Sequence, residues 1–225
     1  MRGTMMPGTF RAVILDLDGT LIETAGEIAL ALERALAELG LPALARASVE
    51  ALIGRGVRSL VERALEGSAG EPVDLDRAVE RFEHHYAATV GTAATAYPGV
   101  IEGLRRLRDA GIGVALVTNK PRSFTLRLLD RLELRPFFAA IVAGDDGVRR
   151  KPHGDMLIAA CEAMQVEIDW ALMIGDSDND VLAARSAGCE VWCVPYGYNE
   201  GRSPGTLQCD RRVETIEEAA NIICS

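Results

Sequence analysis

Five short runs of apolar, often β-branched residues punctuate the chain, at 12–15, 112–117, 139–142, 171–174 and 191–194. A strand with one wet face alternates polar and apolar positions. An almost unbroken run marks burial on both faces, as inside a parallel sheet. Segments of helical period separate the runs. Residues 100–110 set Ile101, Leu104 and Leu107 on one stripe and stop at Gly111, a residue that accepts the left-handed backbone closing a helix. Residues 123–132, 154–164 and 178–187 behave likewise, the last ending at Gly188. The alternation predicts an α/β fold, a doubly wound, Rossmann-like parallel sheet.

Between residues 23 and 95 the alternation stops. Residues 25–39 form a strongly amphipathic pattern, with Ile28, Leu32, Ala35, Leu36 and Leu39 on one face and Gly40 as the stop. Residues 49–53, 57–65 and 76–90 also read as helical, and no strand run intrudes. The interval 23–95 is therefore expected to be a helical module inserted directly after the first strand. The α/β core then comprises 1–22 and 96–225, re-entered at Tyr97-Pro98-Gly99. The tail, 209–225, predicts one more short element, with Ile216, Ala219, Ala220 and Ile223 facing the core.

Composition narrows the function classes. The 225 residues are 48% hydrophobic, too apolar for a disordered chain and enough for a core with an insertion. A net charge of −9 argues against nucleic acid or an anionic membrane surface, which require clustered Lys and Arg. A small anionic substrate stays possible, because one Lys and a divalent cation can invert the sign of a pocket. No run reaches membrane-spanning length, and the first ten residues have no apolar stretch for a secretory signal; translation from Met5 or Met6 is equally compatible. The five cysteines fall at 161, 189, 193, 209 and 224 without a Cys-x-x-Cys or Cys/His cluster. Zinc and a disulfide framework are therefore not expected, and a reduced, cytoplasmic protein is. His84 and His85 would diverge by about 100° on a helix, a poor chelate. Either a monomer or a homodimer is compatible with the chain.

The candidate chemistry sits where the runs end. Asp16-Leu17-Asp18-Gly19-Thr20 follows the first run. Two carboxylates so close resist joint ionisation unless a cation, a shared proton or separation relieves them. An Asp-Gly dipeptide also serves an ordinary turn. Thr118-Asn119-Lys120 ends the second run, offering a hydroxyl and an amide to a phosphate oxygen or, as readily, an N-cap through Asn119 or Ser123. After the third run comes Arg149-Arg150-Lys151-Pro152-His153, where the proline restrains Lys151; a solvated basic loop has the same composition. After the fourth comes Gly175-Asp176-Ser177-Asp178-Asn179-Asp180. Its oxygens suit Mg²⁺, although acidic helix capping would use Ser177 and Asp178.

In this order, and each at a strand end, these motifs resemble the haloacid-dehalogenase superfamily across essentially the whole chain. The helical insertion is similar to that family's small cap of the first type (C1). The resemblance implies Asp16 as nucleophile and metal ligand. Asp18 becomes the acid/base, also a metal ligand through its backbone carbonyl, with Gly19 beside it at the phosphate. It implies Thr118 and the Asn119 amide on phosphate oxygens, Lys151 steadying nucleophile and phosphate, Asp176 as a Mg²⁺ ligand, and Asp180 behind these ligands. Dehalogenating members lack an acid two residues after the nucleophile, so Asp18 favours phosphoester chemistry; sugar phosphomutases keep both acids.

Leu52-Ile53-Gly54-Arg55-Gly56-Val57 looks like the cap loop of bacterial phosphoglycolate phosphatases, and Pro195-Tyr196-Gly197-Tyr198-Asn199 resembles the same branch. Arg55 between glycines could reach a substrate carboxylate or lie in solvent. Glu23-Thr24 stands where many relatives have Asp-Ser, keeping charge and hydroxyl. The resemblance thus implies a Mg²⁺-dependent phosphomonoesterase working through an aspartyl-phosphate, with 2-phosphoglycolate as substrate and glycolate and phosphate as products. Another small phosphorylated metabolite (an amino-sugar phosphate or pyrophosphate), a phosphomutase, and a phosphate- or metal-binding regulator are the alternatives.

Overall fold

A computed structural model describes residues 10–66 and 73–225. The alternative starts at Met5 and Met6, and most of the segment read for a secretory signal, lie outside the described residues. Strand β1 (Ala12–Leu15) is followed by β2 (Ile22–Glu23) and four helices: α1 (Ala25–Glu38), α2 (Arg46–Glu50), α3 (Val57–Glu66) and α4 (Leu75–Thr89). The chain continues through β3 (Thr95–Ala96), α5 (Val100–Asp109), β4 (Gly113–Val117), α6 (Arg122–Arg131), β5 (Ala140–Val142) and α7 (Asp155–Met164). It ends with β6 (Ala171–Gly175), α8 (Asp178–Ala187), β7 (Glu190–Cys193), β8 (Arg211–Arg212) and α9 (Ile216–Ile223).

The main sheet is parallel throughout, in the order β5-β4-β1-β6-β7-β8. β1 is central and fully buried. Its side chains alternate between two cores, Val13 and Leu15 facing one and Ala12 and Ile14 the other. That division is why the run is apolar at every position. Register positions the chemistry: Leu15 pairs with Leu116 on one side and Ile174 on the other. The residues following these strands therefore emerge at one level, the carboxyl edge of the sheet, where open α/β folds bind ligands.

Three features depart from the pattern-based expectation. β2 and β3 form a small antiparallel ribbon, Ile22 opposite Ala96 and Glu23 opposite Thr95, where the chain leaves the core and returns. Two-residue strands carry too little periodicity to be read from sequence. The helix expected at 49–53 instead occupies Arg46–Glu50. Beyond it the amides of Leu52 and Ile53 donate three residues back, to Val49 and Glu50, and the turn runs out into Gly54 and Gly56, both at positive φ. The tail holds two elements, β8 and α9, where one was expected; Ile216, Ala219, Ala220 and Ile223 are buried as predicted. Among the described residues no helix is long and apolar enough to cross a membrane.

Candidate active site

Asp16, Thr118, Lys151 and Asp176 are all buried at the carboxyl edge. The Lys151 ammonium joins them. Its Nζ lies 2.7 Å from Asp16 Oδ1 and donates to Asp180 Oδ1 at 2.7 Å and to the Val117 carbonyl at 3.1 Å. Three protons thus have three acceptors, and the reading of this segment as a solvated basic loop is excluded for Lys151. Burial works against the ammonium, but the carboxylates of Asp16 and Asp180 outweigh it and hold its pKa above the usual lysine value.

Asp180 sits in the first turn of α8. Its Oδ2 accepts from the amides of Asp176 and Ser177, at 3.2 and 3.1 Å, and from the Ser177 hydroxyl at 2.8 Å. The acidic capping expected from Ser177 and Asp178 thus runs through Asp180. The reason is positional: only the third residue of the helix reaches back to the capping amide.

Asp176 accepts from the Thr20 hydroxyl at 2.9 Å and from the amide of Tyr198 at 2.7 Å. Two glycines make room for it. A side chain at Gly19, whose φ is +88°, or at Gly197 would collide with the Asp176 carboxylate.

The carboxylate oxygens of Asp16, Asp176 and Asp180 lie within 4.8 Å of one another. Burial raises the Asp16 pKa well above the ordinary carboxylate value; Lys151 opposes this, while Asp180 and Asp176 add to it. Burial first, then Asp180, pushes Asp176 up to about 7. One ammonium therefore faces three desolvated carboxylates. Such an oxygen-only set could hold a hard divalent cation, which would remove that excess of negative charge.

Asp18 points elsewhere. Its two oxygens accept from Lys120 Nζ at 2.8 and 2.9 Å, and Oδ1 also accepts from the Thr24 hydroxyl at 2.7 Å. The pair of carboxylates that opens the site is thus relieved by separation onto two lysines, Asp16 on Lys151 and Asp18 on Lys120. The Asn119 side-chain amide donates to the carbonyls of Gly54 and Lys151, both at 2.9 Å, so it ties the inserted module to the core and does not cap α6.

A cavity of about 40 Å³ opens beside Asp16, Asp18, Thr118, Asn119 and Lys120. The helical module supplies its other wall, with Ile28, Val57, Leu60, Phe82 and Tyr86. Arg55 is not among the lining residues. Its guanidinium forms a two-pronged ion pair with Glu200, one prong at 2.7 Å. The Pro195–Asn199 stretch lies alongside: the Tyr198 hydroxyl accepts from the amides of Thr24 and Ala25, at 2.8 and 3.0 Å, at the start of α1.

Sequence reasoning passed over Lys120 and Glu200. Lys120 immediately follows Thr118-Asn119, but nothing local distinguishes a buried lysine from an exposed one. Glu200 carried no signal at all.

Three comparisons with known proteins place the chain among its relatives. The family model described as haloacid dehalogenase-like hydrolase matches residues 10–188. A phosphoglycolate phosphatase of Nitrosospira multiformis is 44% identical over 220 residues, 96% of this chain and 97% of that protein. A plasmid-borne phosphoglycolate phosphatase of Cupriavidus necator is 43% identical over 207 residues, 92% of this chain and 90% of the relative. Among solved structures, a predicted phosphoglycolate phosphatase from Haemophilus somnus superimposes with a TM-score of 0.91. It shares 28% identity, over 95% of this chain and 98% of that one.

Proposed function

The chain belongs to the haloacid dehalogenase-like hydrolase family, and from that premise we propose that it is a Mg²⁺-dependent phosphatase hydrolysing 2-phosphoglycolate to glycolate and phosphate. The observation that carries the reading is the convergence of Asp16, Lys151 and Asp176, all desolvated, with Asp16 and Asp18 lining a small cavity.

Asp16 is the nucleophile. Lys151 holds its carboxylate in place and neutralises the phosphoryl oxygens as charge builds on them. Thr118 and the Asn119 amide, at the end of β4, bind two of those oxygens, and Gly19 lets the phosphoryl group approach the backbone. Asp18 protonates the departing glycolate oxygen and later takes a proton from the water that opens the aspartyl-phosphate. Two acids are needed because the attacking one becomes esterified. Asp16, Asp176 and the Asp18 carbonyl would hold Mg²⁺, with Asp180 orienting Lys151 behind them. When bound, the ion would supply positive charge to the phosphoryl group. The helical module, residues 23–95, serves as the cap over the cavity, and the enzyme acts in the cytoplasm on a small phosphorylated metabolite.

Phosphate release from 2-phosphoglycolate, sugar phosphates, an amino-sugar phosphate and pyrophosphate tests the reading directly. The highest kcat/KM is expected for 2-phosphoglycolate, with activity abolished by EDTA and restored by Mg²⁺. Equal kcat/KM across the panel would remove the substrate, and conversion of a sugar phosphate into its isomer without free phosphate would make the protein a mutase.

Metal binding has a second readout. Asp16 and Asp176 have raised pKa values in the metal-free fold, so the native state holds protons that the unfolded chain has released. For Asp176 the resulting stabilisation is full below about pH 4 and is lost as pH rises through about 7. Mg²⁺ competes with those protons. Saturating Mg²⁺ should raise Tm by roughly 5–10 °C near pH 8 and far less near pH 5. A shift of equal size at both pH values would show that the ion binds somewhere else.

A further inference from the structure

Lys120 is the cation that sequence reasoning did not anticipate. It is buried to 5% exposure, and its ammonium lies between the site and the inserted module. On the core side it pairs with both oxygens of Asp18. On the other side Nζ stands 4.9 Å from the centre of the Tyr86 ring. Among the described lining residues of the cavity it is the only cation. Lys151 is occupied behind Asp16, and Arg55 is engaged by Glu200 outside.

The rest of the wall is informative by what it offers. Ile28, Ile53, Val57, Leu60 and Phe82 present no hydrogen-bonding side chain. The Tyr86 hydroxyl is spent on Glu27 at 3.0 Å, and Glu27 also accepts the Gly91 amide at 2.8 Å. The side-chain N–H groups of Asn119 are spent on backbone carbonyls. A polyhydroxylated leaving group would lose its water here and find few partners, which is costly. The apolar wall of this small cavity suits the carbon of a short leaving group.

We propose that Lys120 is the specificity-determining residue, its ammonium binding the carboxylate of the leaving group while that group's carbon lies against the apolar wall. The inference rests on the phosphatase reading above and deepens it: the substrate class is a short phosphomonoester bearing an anionic carboxylate. A desolvated lysine can bridge two carboxylates, since it has three donors and Asp18 needs only part of them. The Tyr86 face adds a fixed attraction that keeps the ammonium aimed into the cavity.

The test compares 2-phosphoglycolate with its neutral counterpart, 2-hydroxyethyl phosphate, in wild type, Lys120→Met, Lys120→Gln and Arg55→Met. Lys120→Gln keeps a hydrogen bond for Asp18 should Lys120→Met fail to fold, and circular dichroism checks each variant. Wild type is expected to favour the carboxylate ester strongly. The ratio of the two kcat/KM values should collapse by about 10–100-fold in the Lys120 variants and hold in Arg55→Met. If Lys120 only orients Asp18, both esters fall by one factor and the ratio stays, which overturns the proposal. A collapse confined to Arg55→Met transfers the role to Arg55 and overturns it too. Wild type equally active on both esters shows that no carboxylate is read. Wild type active on neither removes the phosphatase reading itself, and is seen before any variant is made.

Discussion

Asp16→Asn should lower kcat by a factor on the order of 10⁵, the scale seen when a nucleophile is deleted, while leaving the fold intact. Its melting temperature in metal-free buffer should equal or exceed that of wild type. Both expectations come from one fact: Asp16 is buried beside two more carboxylates, and burial has already pushed its pKa far above the ordinary value. Near neutral pH its ionised form costs the metal-free protein stability, and a neutral amide of the same shape removes that cost. Lys151 keeps Asp180 and the Val117 carbonyl as acceptors. Steady-state kinetics and a thermal melt settle the matter together. Ordinary turnover in the variant would end the nucleophile assignment, and a large fall in Tm would mean that the carboxylate is structural.

Lys151→Met should do the opposite to stability. Among the described residues its ammonium is the one positive charge bonded to Asp16 and Asp180, and side-chain exposure is only 2% for Lys151 and 0% for Asp180. Removing one partner of a buried ionic group leaves uncompensated charge and costs about 3–5 kcal/mol. For a chain of this length that is roughly 6–20 °C in Tm. Activity should fall as well, since the phosphoryl oxygens lose a fixed cation. The sign with pH is specific. The Lys151 pKa is raised in the fold, so its stabilisation is present throughout the neutral range and fades only above the normal lysine pKa. In the variant the penalty shrinks on the acid side, where Asp16 takes up a proton. Adding Asp16→Asn to Lys151→Met should recover part of the lost Tm, because the two residues are coupled by direct contact. Strictly additive effects would show that the pair does not interact.

Much of the core was legible because its signals are local. Unbroken apolar runs at 12–15 and 171–174 can only be strands covered on both faces, and the glycines at 111 and 188 mark helix ends. Asp16, Thr118 and Asp176 were found because each directly follows such a run; once parallel strands pair, that adjacency becomes convergence. Lys151 was reachable by its motif, although its complete burial was not. α2 was misplaced by three residues because Val49, Leu52 and Ile53 have helical spacing; the glycines at 54 and 56 draw the chain into a tightening turn. The β2–β3 ribbon was invisible because two residues hold no period.

By itself, the sequence determined which strands exist, which acids and which hydroxyl follow them, and that helices intervene after the first. Strand pattern and motif are written in consecutive residues, so no distant contact is needed to read them. Tertiary structure decided how the charges are shared. Asp18 goes to Lys120 and Asp16 to Lys151; Asp180 serves as cap and anchor; Arg55 is held by Glu200, 145 residues further along the chain. Those pairings depend on which side chains lose water together when the inserted helices pack over the sheet edge. Charge–charge energy in a protein is set by that desolvation and by distance, neither of which is a property of neighbouring positions in a chain.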